Sequence, residues 1–310
     1  MKVKEIKGFL SQVDNPALLF NKLLILEFID GSSQNQNLTE RGKDKKGREK
    51  GKDKRDEDVK KIDYINKFKE KVQKPEPPPK VEGYTIEKFR LKTAYRLVIG
   101  AGYPSFIENG FLFHHVYGIP YIPGETLKGL ARAVFILSVA EAIKGETKLS
   151  KIEEELSEEA KGILHQIPEK INIILDNYTI ENPVETFRKI FGSKERRGQV
   201  IFFDAYPVDF NPSEHFEADI MNSHYGDYYQ LGKAPADWLN PNPIHFLALK
   251  EGIVFEFSLG LAPLEPMEDN EEKLLSETAR KLLEVGLKNF GVGNKKRKGY
   301  GWFSDKTVGR

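Results

Sequence analysis

The chain has 310 residues, 39% of them apolar and 31% charged, the balance of a globular protein able to bury a core. Lys and Arg number 48 against 47 Asp and Glu, so any attraction to a polyanion has to come from where the cations lie, not from their sum. The sequence contains no cysteine, which excludes disulfides, thiolate metal sites and cysteine nucleophiles.

A cytoplasmic setting suits that composition. No apolar run reaches about 18 residues, so no membrane span is expected. The opening MKVKEIKGFL lacks the long apolar stretch of a signal peptide.

In chain order, NPALLFNKLLILEFI (15–29) is apolar on most sides and predicts a buried helix, with Asn15 as its cap and Pro16 as its first residue. Residues 31–61 carry mixed charge and almost no apolar side chain, which predicts disorder. QKPEPPPKVEG (73–83) predicts a stiff polyproline-type spacer. The organisation expected is therefore an N-terminal helical segment (1–30), a charged disordered tether with a proline-rich linker (31–82), and a main domain over 83–310.

Within that domain EKFRLKTAYRLVIG alternates. Phe89, Leu91, Tyr95, Leu97 and Ile99 fall on one face and Lys88, Arg90, Lys92 and Arg96 on the other, a half-buried strand with a basic open face. Residues 121–145 read as a turn and an amphipathic helix starting near Glu125 or Thr126, and 150–192 as mostly helical. QVIFFDAYPV (199–208) reads as one central strand. Residues 209–251 read as a long irregular insertion, 252–261 as a strand, 271–290 as a strong amphipathic helix, and YGWF as a short final strand. This is an α+β chain in βαββαβ order, the ferredoxin-like (RRM-like) split βαβ arrangement, with one sheet face left for a ligand.

Two segments carry candidate chemistry. GVGNKKRKGYGWF (291–303) sets Lys295, Lys296, Arg297 and Lys298 within Gly291, Gly293, Gly299 and Gly301, beside Asn294. Glycines let backbone amides approach an anion, and Tyr300, Trp302 and Phe303 offer faces on which bases stack. One of Trp302 and Phe303 is expected in the core. In IPYIPGETLKGLAR, Lys128 is a cation in the first turn of a helix, where it opposes the dipole. A phosphate on the free amides would make Lys128 and Arg132, one turn apart, favourable partners.

YGIPYIPGETLKGLAR followed downstream by GVGNKKRKGYGWF resembles the RAMP superfamily of CRISPR-associated proteins, and FFDAYP, HYGDYY and PADWLNPNPIHFLAL make it look like the Cmr6 subunit family of type III-B effector complexes. The resemblance covers residues 84–304 and the NPALLFNKLL helix but not the tether. It implies a RAMP domain that binds CRISPR guide RNA and target RNA, holds the 3′-ward part of the guide and packs against other subunits, without a catalytic role. It also implies RNA contacts by Lys128, Arg132 and the loop 291–301.

His115 is a further candidate for RNA or partner contact, as are His224, Tyr225 and Tyr228 of HYGDYY. The competing enzymatic reading is a metal-independent endoribonuclease acting on CRISPR RNA through His114 or His115, of which at most one is suitably aimed if neighbours on a strand face opposite ways. Asp204 reads as a hydrogen-bonded buried carboxylate. No metal and no cofactor is expected, since no His or carboxylate pair has ligand spacing and no Walker loop is present.

Overall fold

The computed structural model describes residues 54–71, 80, 84–105, 109–143, 148–158, 164–223, 232, 234, 242–264 and 267–305. The helix expected over 15–29 and the candidates His224, Tyr225 and Tyr228 lie outside the described residues. In chain order the first elements are α1 (Lys54–Lys71), β1 (Thr85–Thr93), α2 (Gly124–Ile143), α3 (Leu149–Ser157), β2 (Lys170–Asn172), β3 (Thr179–Glu181) and α4 (Pro183–Phe191). There follow β4 (Val200–Phe202), β5 (Tyr206–Pro207), α5 (Pro212–His215), β6 (Phe216–Ser223), β7 (Asn242–Leu249), β8 (Val254–Leu261), α6 (Asp269–Asn289) and β9 (Phe303–Ser304).

The chain divides into two compact units. One holds residues 1–78, 98–120 and 209–250, the other 79–97, 121–208 and 251–310. The second unit is built on a sheet ordered β4-β8-β1-β9 with antiparallel neighbours, β5 pairing β8 beyond β4. Alternation in β1 and β8 decides its faces. Phe89 and Leu91 lie opposite Phe257 and Phe255 in register and are buried, the Phe89 and Phe257 rings stacked at 5.2 Å. The open face carries Lys88 and Arg90, both joined to Glu256 on the neighbouring strand. Burial favours the protonated carboxyl of Glu256, but hydrogen bonds from Arg90 and Lys88 outweigh it and hold the group below the ordinary carboxylate range.

Helices α2 and α6 pack on this sheet and on each other through Leu127, Ala131, Val134 and Phe135 of one and Leu275, Ala279, Leu282 and Leu283 of the other. They approach closely at Gly286, where a Cβ would meet Leu130 Cγ at 2.7 Å.

Four expectations need correction. The strand expected to run through Ile99 ends at Thr93, though Leu97, Val98 and Ile99 are buried. The strand over 199–208 is split, because Ala205 leaves the ladder to exchange both backbone hydrogen bonds with Ile122 (3.0 and 2.9 Å). Residues 150–192 hold not only helices but the hairpin of β2 and β3, whose Ile171 and Ile180 pair and are buried.

The fourth concerns the first unit, which contains two pieces read as structureless. The last residues of the tether, from Lys54 onward, belong to α1, because Tyr64, Ile65 and Phe68 recur at helical spacing on a face that the surrounding charge conceals. The insertion 209–251 forms α5 and the antiparallel hairpin of β6 and β7, in register from Phe216↔Leu249 to Ser223↔Asn242. Phe68, Phe111, Phe113 and Phe216 form its aromatic core, with ring centroids 5.2–5.8 Å apart.

Candidate nucleic-acid interface

The loop after α6 is rigidly framed. Gly291, at φ +69°, ends the helix by donating its N–H to Gly286 O (2.9 Å). Val292 N–H donates to Gly301 O, and Gly301 N–H to Arg96 O. A Cβ on Gly301, also at positive φ, would lie 1.8 Å from Val292 O. Between these ties Lys295 (φ +58°) and Gly299 (φ +89°) bracket a single 3₁₀ turn, Lys296–Lys298.

These bonds bear on the expected anion nest. The amides of Gly291, Gly299 and Gly301 are spent within the fold, so these glycines supply conformation rather than donors. What the turn presents is side-chain charge. Lys296, Arg297 and Lys298 are exposed, and their side chains make no hydrogen bond or ion pair with any described residue. Of the expected stacking faces, Tyr300 is buried edge-on against Tyr95 (5.2 Å) and Phe303 is buried against Phe255 and Phe257. Trp302, 38% exposed, is the one on the surface.

At the other segment Pro123 accepts from Thr126 and Leu127, and α2 begins at Gly124. Its first amide is not free for a phosphate. Gly124 N–H donates to Asp204 Oδ1 at 2.7 Å, so Asp204 is hydrogen-bonded as expected, but it is half-buried and not buried. Arg132 has partners within the fold. It is engaged by Glu153, donates to Ser157 Oγ (2.8 Å) and stands over the Phe187 ring (5.4 Å). Its partners lie 21 and 25 residues away, beyond the reach of any local pattern.

Lys128 differs. It is half-buried, with no acidic partner among the described residues. Burial, reinforced by Arg132, holds its ammonium below the ordinary lysine range. Gly129 beside it has nothing within 4 Å of where a Cβ would stand.

Strand registers set the two segments at opposite edges of the sheet, β4 and β5 flanking β8 and β9 flanking β1. β5 pairs with Phe255 and Glu256, while β9 pairs with Lys92, itself opposite Val254. The start of α2, tied to Asp204, stands against Phe202, which faces Leu259 of β8, whereas the cationic loop is tied to Ala94 and Arg96 past the end of β1. Helices α2 and α6 themselves approach at Leu130 and Gly286, near both segments. Sequence reasoning missed the support from Arg96, whose Nη1 donates to Tyr95 Oη (2.7 Å) while its carbonyl holds Gly301.

The histidines belong to the first unit. Residues 115–117 form a turn, so the imidazoles of His114 and His115 stack at 5.0 Å instead of facing opposite ways. Nδ1 of His114 accepts from the amides of Val116 and Tyr117 (3.3 Å each), which occupies that nitrogen in holding the turn. His115 is exposed. Among the described residues, no group of three His, Asp or Glu is arranged to hold a metal ion, and no helix is long and apolar enough to cross a membrane.

A model described as the RAMP superfamily matches residues 90–304. Two curated proteins are similar. The CRISPR system Cmr subunit Cmr6 of Pyrococcus furiosus is 31% identical over 232 residues, which are 68% of this chain and 66% of that protein. The CRISPR system CMR subunit Cmr6 of Saccharolobus solfataricus is 26% identical over 178 residues, 56% of this chain and 45% of that protein. These alignments thus span less than two thirds of each curated relative's length.

Among solved structures, Cmr6 from Pyrococcus furiosus matches with TM-score 0.48 at 29% identity, covering 74% of this chain and 100% of that one. A chain in the cryo-EM structure of the type III-B Cmr-beta bound to cognate target RNA matches with TM-score 0.53 at 20% identity, covering 98% of this chain and 95% of that one, a likeness of fold.

Proposed function

As the chain belongs to the RAMP superfamily, we propose that it is a non-catalytic, RNA-binding subunit of a type III-B CRISPR ribonucleoprotein. It holds the 3′-ward part of the guide RNA and packs against other subunits of an assembly that also engages target RNA. The observation that carries this reading is the row Lys296, Arg297 and Lys298: three consecutive exposed cations on a backbone fixed by left-handed residues, without acidic partners among the described residues. Such a row attracts phosphates and carries little base information, so sequence preference is slight.

Lys128 joins the row across the approach of α2 and α6, which meet at Leu130 and Gly286. A half-buried lysine with a lowered pKa gains from a phosphate what the fold denies it. Arg132 acts at one remove, by positioning α3 against α2. The ferredoxin-like description is part of the same proposal. It is supported by the strand order β4-β8-β1-β9 and by two helices packed on one side of the sheet.

Crosslinking of RNA to the purified chain, followed by peptide mapping, tests the proposal. Adducts are expected in both 124–132 and 291–302; adducts confined to other segments would overturn it. Repeat-derived RNA incubated with the chain in EDTA is expected to stay intact. Discrete cleavage abolished by His115→Ala would overturn the non-catalytic half.

A further inference from the structure

Strand β1 pairs with β8 along Thr85–Lys92, whereas β9 covers only Lys92 and Thr93. Along a paired strand, successive residues turn their peptide groups to opposite sides. Thr93 N–H donates to Ile253 O on the β8 side, and Ala94 N–H to Trp302 O on the β9 side. By that alternation Ile86, Lys88 and Arg90 direct their peptide groups at an edge that no strand among the described residues covers. An uncovered edge of this length is a template for an added strand.

Beside the first residues of the edge lies a groove of about 790 Å³, lined by Thr85, Ile86 and Glu87 of β1, by Leu261 of β8 and by α6, whose Asp269, Glu272 and Glu277 make it unsuited to acidic side chains. Its wall is held in place from within. Glu87 accepts from Arg280 Nη1 (3.0 Å) and Ser276 Oγ (2.7 Å), and Arg280 stands over the Phe89 ring at 5.4 Å. Side chains of an incoming strand that point toward the helices therefore meet a formed cleft.

Side chains that point the other way meet Lys88 and Arg90. These share one carboxylate, Glu256, and keep 46% and 59% of their side-chain surface exposed. Two cations on one anion leave positive charge at the edge. Acidic residues directly across from Lys88 and Arg90 would compensate it, because opposite charges stabilise facing positions on neighbouring strands.

We propose that the open edge of β1 accepts, by strand addition, an extended segment of another protein whose alternate residues are acidic, the intervening ones being small or uncharged and turned into the groove. The chain's own continuation fits the charge pattern worse: in the β9 register Lys306 would face Arg90, a like-charge pair.

The test uses the full chain and three fluorescein-labelled decapeptides: alternating Glu-Thr, alternating Lys-Thr, and Glu-Thr methylated on alternate amides. Glu-Thr is expected to bind roughly tenfold more tightly than either control, and to weaken roughly fivefold in the Lys88→Gln/Arg90→Gln variant. Hydrogen exchange should slow at Ile86, Lys88 and Arg90 when Glu-Thr binds, with Glu87 and Phe89 unchanged. Equal binding of the three peptides would overturn the proposal. So would protection of the edge amides in the chain alone that disappears on deleting residues 306–310, or protection by single-stranded RNA in place of peptide.

Discussion

Asp204 Oδ1 accepts the backbone N–H of Gly124 at 2.7 Å, across 80 residues of sequence. A carboxylate thereby occupies the positive end of α2, where the sequence suggested a phosphate. Asp204→Ala is expected to lower stability by about 1–2 kcal/mol, and Asp204→Asn by less, since the amide oxygen still accepts. Urea denaturation checks both, and an unchanged midpoint in the alanine variant would contradict the capping role.

Arg132 ties α2 to α3. Losing its bonds to Glu153 and Ser157 and its place over Phe187 should cost about 1 kcal/mol. Lysine should not restore it, because a point charge cannot reproduce the planar fork. RNA affinity of folded Arg132→Ala should match the parent. A drop in affinity without a drop in stability would return Arg132 to the RNA contacts.

Two glycines should respond in opposite ways. Gly301→Ala sets a Cβ 1.8 Å from Val292 O at φ +73° and should destabilise by more than about 2 kcal/mol. Gly129 sits inside α2 with open space around it, so Gly129→Ala should stabilise by about 0.5–1 kcal/mol. If RNA passes over this turn, the same methyl lowers affinity. Thermal melts and RNA binding on both variants decide, and unchanged affinity in Gly129→Ala would place the RNA elsewhere.

Lys128 gives a prediction in pH. Its folded pKa is lowered by burial and by Arg132, so the unfolded chain holds the proton more tightly than the folded one. The penalty is present at neutral pH and is lifted as pH rises through the lowered folded pKa toward the unfolded value. Lys128→Met should therefore be more stable than the parent near neutrality, with the gap narrowing in alkali, while binding RNA more weakly. Denaturation at both pH values and one binding isotherm check this; equal stability at neutral pH would contradict it.

The elements most legible in the sequence were those whose burial follows a local period. The alternation in β8 and the heptad-like spacing of Leu275, Ala279 and Leu282 in α6 each declare a single buried face. The hairpin of β6 and β7 was hidden, since its Asn, Ser and Pro residues read as punctuation and residues 224–241 separate its two strands. In the candidate interface, the glycine frame and its cations could be read from residue type alone. The fates of Arg132 and of the Gly124 amide could not, because each is decided by a partner that only the tertiary fold supplies.

The most direct measurement is the salt dependence of RNA binding by the parent chain and by the variant Lys296→Gln/Arg297→Gln/Lys298→Gln. Plotted as log K against log salt, the variant's slope should be shallower by roughly 2, about 0.7 for each phosphate no longer neutralised, with lower affinity at every salt concentration. A slope and an affinity equal to those of the parent would show that the cationic turn does not hold the RNA.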